Sequence, residues 1–406
     1  MECRVCYDCE GEMLEPCGCR GGQGKVHKAC LIKVAETTAK NKDDLYSYVH
    51  CSTCELPYMG PSRGILVSAL DKHTAGMDEN DPKRLFAELQ MLNWQILDHK
   101  LEPVLESAQA LCKKFKEVMG KSHPHTLQCM RATAIVLGEM KMYDDAESLL
   151  LETRTAALDA STTEQMLTES TIAREYLKSG QHAKGLSVAN NVLAMRKEKS
   201  GGKKGKWDIL LDERIVARAL LEVGKTGEAC TMLESVVAET KRLCGDSHSV
   251  SMETVLELCG AYLKDRRYGK AEALLLGEEY LQGDIETTDD VLVLDAKAKL
   301  SSALAYQRKY ERAEVILRAL VIKYEQTYGP QDEGTITHIA NLARLLHDMG
   351  HMGEAETFCR KAVDYQECEF EKSKEQGNLA YTLIKAGECA RCLPLCSNAC
   401  APHASQ

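Results

Sequence analysis

The first 54 residues hold eight of the chain's nineteen cysteines, and their spacing limits what this segment can become more than any other feature of the sequence. Read in order with one histidine, the candidate ligands are Cys3, Cys6, Cys17, Cys19, His27, Cys30, Cys51 and Cys54. They form C-x2-C, C-x-C, H-x2-C and C-x2-C pairs, separated by ten, seven and twenty residues. A close pair grips one side of a tetrahedral ion, and two pairs close one zinc site. Four pairs therefore imply two structural Zn²⁺ ions with no open position for catalysis. So short a segment, with few large apolar side chains, cannot bury enough core to fold alone; metal binding supplies the missing free energy. No apolar run precedes the cluster as a secretory signal would. The expected compartment is reducing, cytoplasmic or nuclear, where clustered cysteines bind metal rather than pair as disulfides. Cys9 and His50 stand beside these ligands as spare candidates.

The order of ligand types resembles the RING-CH variant of the RING finger: four Cys, one His and three Cys, with one residue inside the second pair and seven before the His. Pro16-Cys17-Gly18-Cys19-Arg20-Gly21-Gly22 and Val26-His27-Lys28-Ala29-Cys30-Leu31-Ile32-Lys33 are similar to that family's central block. The single-residue second pair and the His in fifth place favour this variant over an ordinary RING or PHD-type finger. The resemblance covers residues 1–58 and implies an interleaved cross-brace. Cys3, Cys6, His27 and Cys30 would hold one zinc, and Cys17, Cys19, Cys51 and Cys54 the other.

Membership would also imply ubiquitin-ligase activity. RING domains dock a ubiquitin-conjugating enzyme charged with ubiquitin as a thioester, and act by positioning it. In the family, docking uses an apolar residue inside the first pair, here Val5. It also uses an aromatic residue, usually Trp, whose place is taken here by Val34. Losing that Trp removes the largest apolar contact of a small interface. Glu55 stands where many active RING ligases carry a cation, and Ser52 where some carry Pro. With a ligand at position 3, little chain precedes the first zinc site, which suggests a gene model truncated at its start.

Beyond the finger, residues 59–83 contain Pro61, Pro82, Gly60, Gly64 and Gly76 among polar residues and read as a flexible linker. The apolar stretch from Gly64 to Leu70 could pack that linker against a neighbour. From Leu85 onward apolar residues recur at helical spacing, and alternating β-branched runs are absent. The chain is also repetitive. A Tyr-x-x-Ala-Glu pattern is anchored at Ala146, Ala271 and Ala313, with weaker copies at Gly185, Ala229 and Ala355. Successive anchors lie 39, 44, 42, 42 and 42 residues apart. Twelve residues before each anchor stands Ala134, Ala173, Ala217, Cys259, Ser301 or Ala343, all small. Nine before stands Leu137, Tyr176, Leu220, Tyr262, Leu304 or Leu346, all large. Small residues let paired helices approach, and the large one fills the groove beside them.

This pattern resembles the tetratricopeptide repeat. Its Gly position holds Gly180, Gly224 and Gly350, but Lys141, Arg266 and Arg308 in the other copies. The 42-residue period is similar to the kinesin-light-chain type of repeat, as is Gly120-Lys121-Ser122-His123-Pro124-His125-Thr126 between repeats. HEAT or armadillo repeats share the period without the Tyr-x-x-Ala-Glu pattern. The resemblance implies a right-handed superhelix whose groove binds a protein or peptide ligand, with degraded capping pairs at 84–119 and at Asn378–Gly387.

The net charge of −10 and a mere six Phe and Trp residues (four and two) argue against nucleic-acid partners. No run approaches the ~18 apolar residues of a membrane-spanning segment. Cys112, Cys129, Cys230, Cys259 and Cys359 fall on helical stretches and read as packed small residues. The tail carries Cys389, Cys392, Cys396, Cys400 and His403, spaced too tightly to wrap an ion comfortably on one helix. Gly224-Lys225-Thr226 lacks the context of a phosphate loop and reads as a turn between helices. Arg196-Lys197-Glu198-Lys199 with Lys203, Lys204 and Lys206 reads as a solvated basic loop.

The expected architecture is thus mostly α. A two-zinc finger at 1–58 is followed by a linker at 59–83, a tetratricopeptide-like solenoid at 84–388 and a Cys-rich tail at 389–406. The expected function is a soluble RING-CH-type ubiquitin ligase whose solenoid selects the protein substrate. The alternative is a non-enzymatic scaffold with a purely structural finger.

Overall fold

The computed structural model describes residues 2–365 except 9, 12, 15, 18, 20–24, 43, 44, 59, 97–100, 200, 201, 247 and 279–283. The expectations for Cys9, the carboxy-terminal capping pair and the tail cysteines lie outside the described residues. Two compact units divide the chain, one ending at Thr254 and one beginning at Val255.

A short antiparallel hairpin opens the first unit, β1 (Met13–Leu14) on β2 (Val26–His27), with Met13 opposite His27. Then come α1 (Lys28–Lys42), a 3-10 turn at Leu45–Tyr48 and α2 (Gly60–Thr74). Val26, Leu31, Ala35, Tyr48 and Tyr58 form a core too small to serve alone, and the ligands Cys3, Cys17 and Cys51 are buried within it.

Residues 59–83 differ from the expected flexible linker. The stretch Gly64–Leu70 lies inside α2, and Leu66 and Leu70 are fully buried in the finger's core beside Ala87. Burying two leucines is worth about 1.5–3 kcal/mol each, enough to order a segment whose glycines and prolines suggest a tether. Gly64 has a packing reason to be Gly, since a Cβ there would come within 2.6 Å of the Trp94 ring. Arg84 ties the end of α2 down through Asp71 at 2.8 Å. On its far side the finger meets the repeats: Leu56 is buried with Trp207, Cys244 and Val250.

The rest is helical hairpins. α3 (Pro82–Ile96) and α4 (Leu101–Met119) precede α5 (Pro124–Glu139), α6 (Tyr143–Ala157), α7 (Thr162–Lys178), α8 (His182–Lys199), α9 (Gly202–Glu222) and α10 (Thr226–Cys244). There follow α11 (Ser249–Lys264), α12 (Tyr268–Leu276), α13 (Val291–Tyr306), α14 (Tyr310–Thr327), α15 (Glu333–Asp348) and α16 (Met352–Tyr365). Each of the six repeats read from the sequence is one pair, from α5–α6 to α15–α16. All six small residues before the anchors are buried, as are Ala146, Ala229, Ala271, Ala313 and Ala355.

One turn joins the two helices of every repeat. Lys141, Gly180, Gly224, Arg266, Arg308 and Gly350 all have positive φ, between 58° and 87°. The next residue's N–H then donates to the carbonyl of the large residue five positions back, as from Met142 to Leu137 at 2.9 Å and from Arg267 to Tyr262 at 2.8 Å. This closes the first helix by the bond of a Schellman motif and reverses the chain. Gly is the natural occupant, and the three basic residues hold the same conformation at a steric cost. Between repeats, His123 accepts a hydrogen bond from the His125 N–H, and His248 does the same for Val250.

Candidate metal centre

Two turns of one kind build the ligand pairs at the ends of the finger. After Cys3 and Cys6, Tyr7 adopts a left-handed φ of 61°, and after Cys51 and Cys54, Glu55 does the same. In both, that residue's N–H donates to the carbonyl of the first cysteine at 2.9 Å. The backbone N–H groups of Val5 and Thr53 also point at the first sulfur, 3.5 Å from Cys3 Sγ and 3.4 Å from Cys51 Sγ. Cys17 and Cys19 come from the segment between β1 and β2. His27 ends β2, and Cys30 rides the first turn of α1.

The ligands gather into two clusters: Cys3, Cys6, His27 and Cys30 in one, and Cys17, Cys19, Cys51 and Cys54 in the other. Within each, the ligand atoms all lie within 4.8 Å of one another. Cys19 and Cys51 Sγ are 3.8 Å apart, and a tetrahedral ion with Zn–S bonds of ~2.3 Å would hold two sulfurs about 3.8 Å apart. His27 offers Nδ1, which lies 3.2 Å from Cys6 Sγ and 4.0 Å from Cys30 Sγ. The donor sets, three thiols with an imidazole and four thiols, fit two Zn²⁺ ions, and both clusters are closed. The spare candidate His50 belongs to neither; its ring stacks on Tyr46 at 4.0 Å.

Electrostatics make the same point. Burial pushes the Cys3 thiol up, but backbone N–H groups of Cys6, His27 and Val5 outweigh it and bring it down to about 6. Burial and the neighbouring Cys6 and Cys3 thiols raise Cys30 to about 11. In the second cluster, hydrogen bonds with Cys51 and Cys54 push Cys17 far up, while those from Cys17 and Cys54 pull Cys51 far down. Thiols this close share protons, and four thiolates coexist only around a cation. The Arg4 guanidinium lies 3.9 and 4.0 Å from Cys51 Sγ and offsets part of the negative charge a four-thiolate zinc would carry.

Val5 is half-buried against the finger's core, and Val34 is half-buried on α1. Ser52, Thr53 and Glu55 are exposed at the turn of the last pair. Elsewhere, Cys112, Cys129, Cys230, Cys259 and Cys359 are buried, and Lys225 lies in the turn between α9 and α10. Arg196 departs from expectation. It is no part of a solvated loop but sits on α8, 2% exposed, paired with Asp208 and Asp212 of α9. The pairing carboxylates, four residues apart on the next helix, were its one sequence signal. Neither this buried pair nor the Leu56–Trp207 contact stood out in the sequence, because both depend on how helices distant in the chain meet.

Residues 3–54 match the family model of the RING-variant domain. Residues 293–333 and 335–367 match that of a tetratricopeptide repeat. The chain thus carries a RING-variant domain at one end and tetratricopeptide repeats toward the other. No curated protein matches it. Among solved structures, the apo form of the quorum sensor NprR from B. thuringiensis is similar over 89% of this chain and 96% of its own, at 17% identity and a TM-score of 0.55. At that identity the likeness shows a fold of stacked helical hairpins. A putative kinesin light chain from Podosopora anserina aligns with 50% of this chain and 94% of its own, at 20% identity and a TM-score of 0.43. Among the described residues, no helix is long and apolar enough to cross a membrane.

Proposed function

We propose that the protein is a RING-CH-type ubiquitin ligase, in which the finger docks a charged ubiquitin-conjugating enzyme and the repeats hold the protein substrate. The observation that carries this reading is the pair of closed four-ligand clusters inside the RING-variant segment. Closed sites leave zinc no open position for reaction. The ions would fix the loops around Val5 and Ser52 so that a conjugating enzyme is held in a reactive geometry, and the rate gain is one of positioning. Seated on α2 and Trp207, the finger presents the thioester at a fixed place beside the repeats rather than sweeping on a tether. A reducing compartment, cytoplasmic or nuclear, keeps the ligand thiols available.

A scaffold with a structural finger is the second reading, motivated by Val34 and Glu55 at positions where an aromatic and a cation would strengthen docking. The test is single-turnover discharge of ubiquitin from a panel of charged conjugating enzymes onto free lysine, with Cys17→Ser as control. Zinc-dependent acceleration with any enzyme supports the ligase. No acceleration by a protein shown to hold two zincs, even with Val34→Trp, supports the scaffold.

A further inference from the structure

A cavity of about 250 Å³ opens within the first unit, between the first helices of four successive hairpins, with Arg196 reaching it from α8. Asn93 comes from α3, Arg131 and Ile135 from α5, Arg174 from α7, and Leu211 and Asp212 from α9. Its volume suits one or two side chains rather than a large cofactor.

Three arginines line it, and two are already committed. Arg131 donates to Glu164 at 2.8 Å and to Thr168 at 3.2 Å. Arg196 is held by Asp208 and Asp212, and Asp212 also accepts from Ser170 at 2.8 Å. Arg174 is different: its Nε is buried and has no hydrogen-bond partner among the described residues. Glu175 next to it turns elsewhere, toward Gly138, and accepts from Lys178 at 3.0 Å. Burial disfavours the charge on Arg174; Arg218 and Arg131 add to that effect, and the nearby Glu175 and Asp212 offset part of it without accepting a hydrogen bond from its Nε. A buried guanidinium nitrogen without an acceptor is costly, and native proteins rarely leave one so without a use.

We propose that this cavity is a carboxylate subsite, in which Arg174 receives the Asp or Glu side chain of a polypeptide bound along the repeats. The guanidinium fork meets a carboxylate with two parallel hydrogen bonds, about twice as strong as bonds to a neutral carbonyl. Asp208 and Asp212 in the wall would repel a doubly charged phosphate more than a singly charged carboxylate. Leu167, Leu211 and Ile215 offer an apolar wall for a neighbouring side chain, so the sequence read is an acidic residue beside an aliphatic one. Asp208 follows Trp207, the residue on which Leu56 of the finger rests, so an occupant would lie close to the finger's seat.

The proposal rests on the reading that the repeats bind a polypeptide, and the experiment separates the two. The full chain is titrated against an array of twelve-residue peptides, amidated at the carboxyl end, with Leu-Glu or Leu-Asp placed in Gly/Ser-rich backgrounds. Matched copies carry Gln or Asn, and a further set carries a free terminal carboxylate. The expected result is binding of Glu or Asp peptides roughly tenfold or more tighter than their amide copies. Arg174→Gln should abolish the difference while its unliganded melting temperature stays level or rises, since it removes a buried donor that has no acceptor. A purely structural Arg174 would instead lower that temperature and leave the difference intact. Equal binding of acid and amide copies overturns the subsite but leaves the array a peptide binder, and preference for the free terminus alone assigns the carboxylate to the wrong source. No binding by any peptide overturns the reading of the repeats and the subsite with it.

Discussion

The finger and the repeats reverse the chain with the same device and stabilise the result by opposite means. In the finger, Tyr7 and Glu55 take the left-handed conformation just after a cysteine pair; in the repeats, Lys141, Arg266, Arg308 and three glycines take it just after a helix. The finger's turn encloses two thiols, which repel one another once ionised and need a cation between them. The repeat's turn encloses the backbone of Leu137, Tyr262 or Leu304, whose side chain needs only the neighbouring helix. The lesson is that a shared local geometry says little about what holds it. One region's folding is linked to metal, and the other's to packing.

The comparison breaks most directly at the ligands. Cys17→Ser should release the zinc of its cluster and unfold the finger, because structural zinc supplies about 10–16 kcal/mol of apparent binding free energy. Metal stoichiometry and amide exchange should show that loss while helices beyond α2 keep their protection. Next in size is the seat between the regions. Trp207→Ala should cost about 3–5 kcal/mol, the usual range for a buried Trp truncation. Both zincs should remain, while limited proteolysis near Pro57 accelerates. A smaller effect is expected from Arg4→Gln, which removes the cation beside Cys51. Competition with a chromophoric chelator should show the four-cysteine site weakened by about 10–100-fold, with the site containing His27 unchanged. Smallest is Arg266→Gly, which relieves a non-glycine left-handed residue and should stabilise by up to about 1 kcal/mol in denaturant unfolding. Loss of stability there would mean that the Arg266 side chain contributes more than its backbone costs.

The repeats were legible because their physics is periodic. A small residue twelve positions before the anchor and a large one nine before it leave a pattern that any single strained turn cannot hide, which is why Lys141 could be aligned with Gly180. The ligand pairs were legible because tetrahedral coordination dictates spacing. The order of residues 60–74 was not, since Gly60, Pro61 and Gly64 are the marks of a loop. What overrides them is tertiary: Leu66 and Leu70 find the finger's core, and Gly64 makes room for Trp94. Arg174 was equally silent, because an arginine on a helix reads as surface until the neighbouring helices close around it.

Zinc holds the finger while packing holds the repeats, and the chain's two tryptophans report on that division. Trp94 packs on Gly64 of α2, and Trp207 on Leu56 of the finger, so both lie where the regions meet. The decisive measurement is chelation of zinc from the full chain, followed at once by tryptophan emission and far-ultraviolet circular dichroism. The expected result is a red shift in emission with helix loss no greater than α1 and α2 can supply, fifteen residues each. Collapse of the whole helical signal with the metal, or a finger that keeps its seat without zinc, would contradict it.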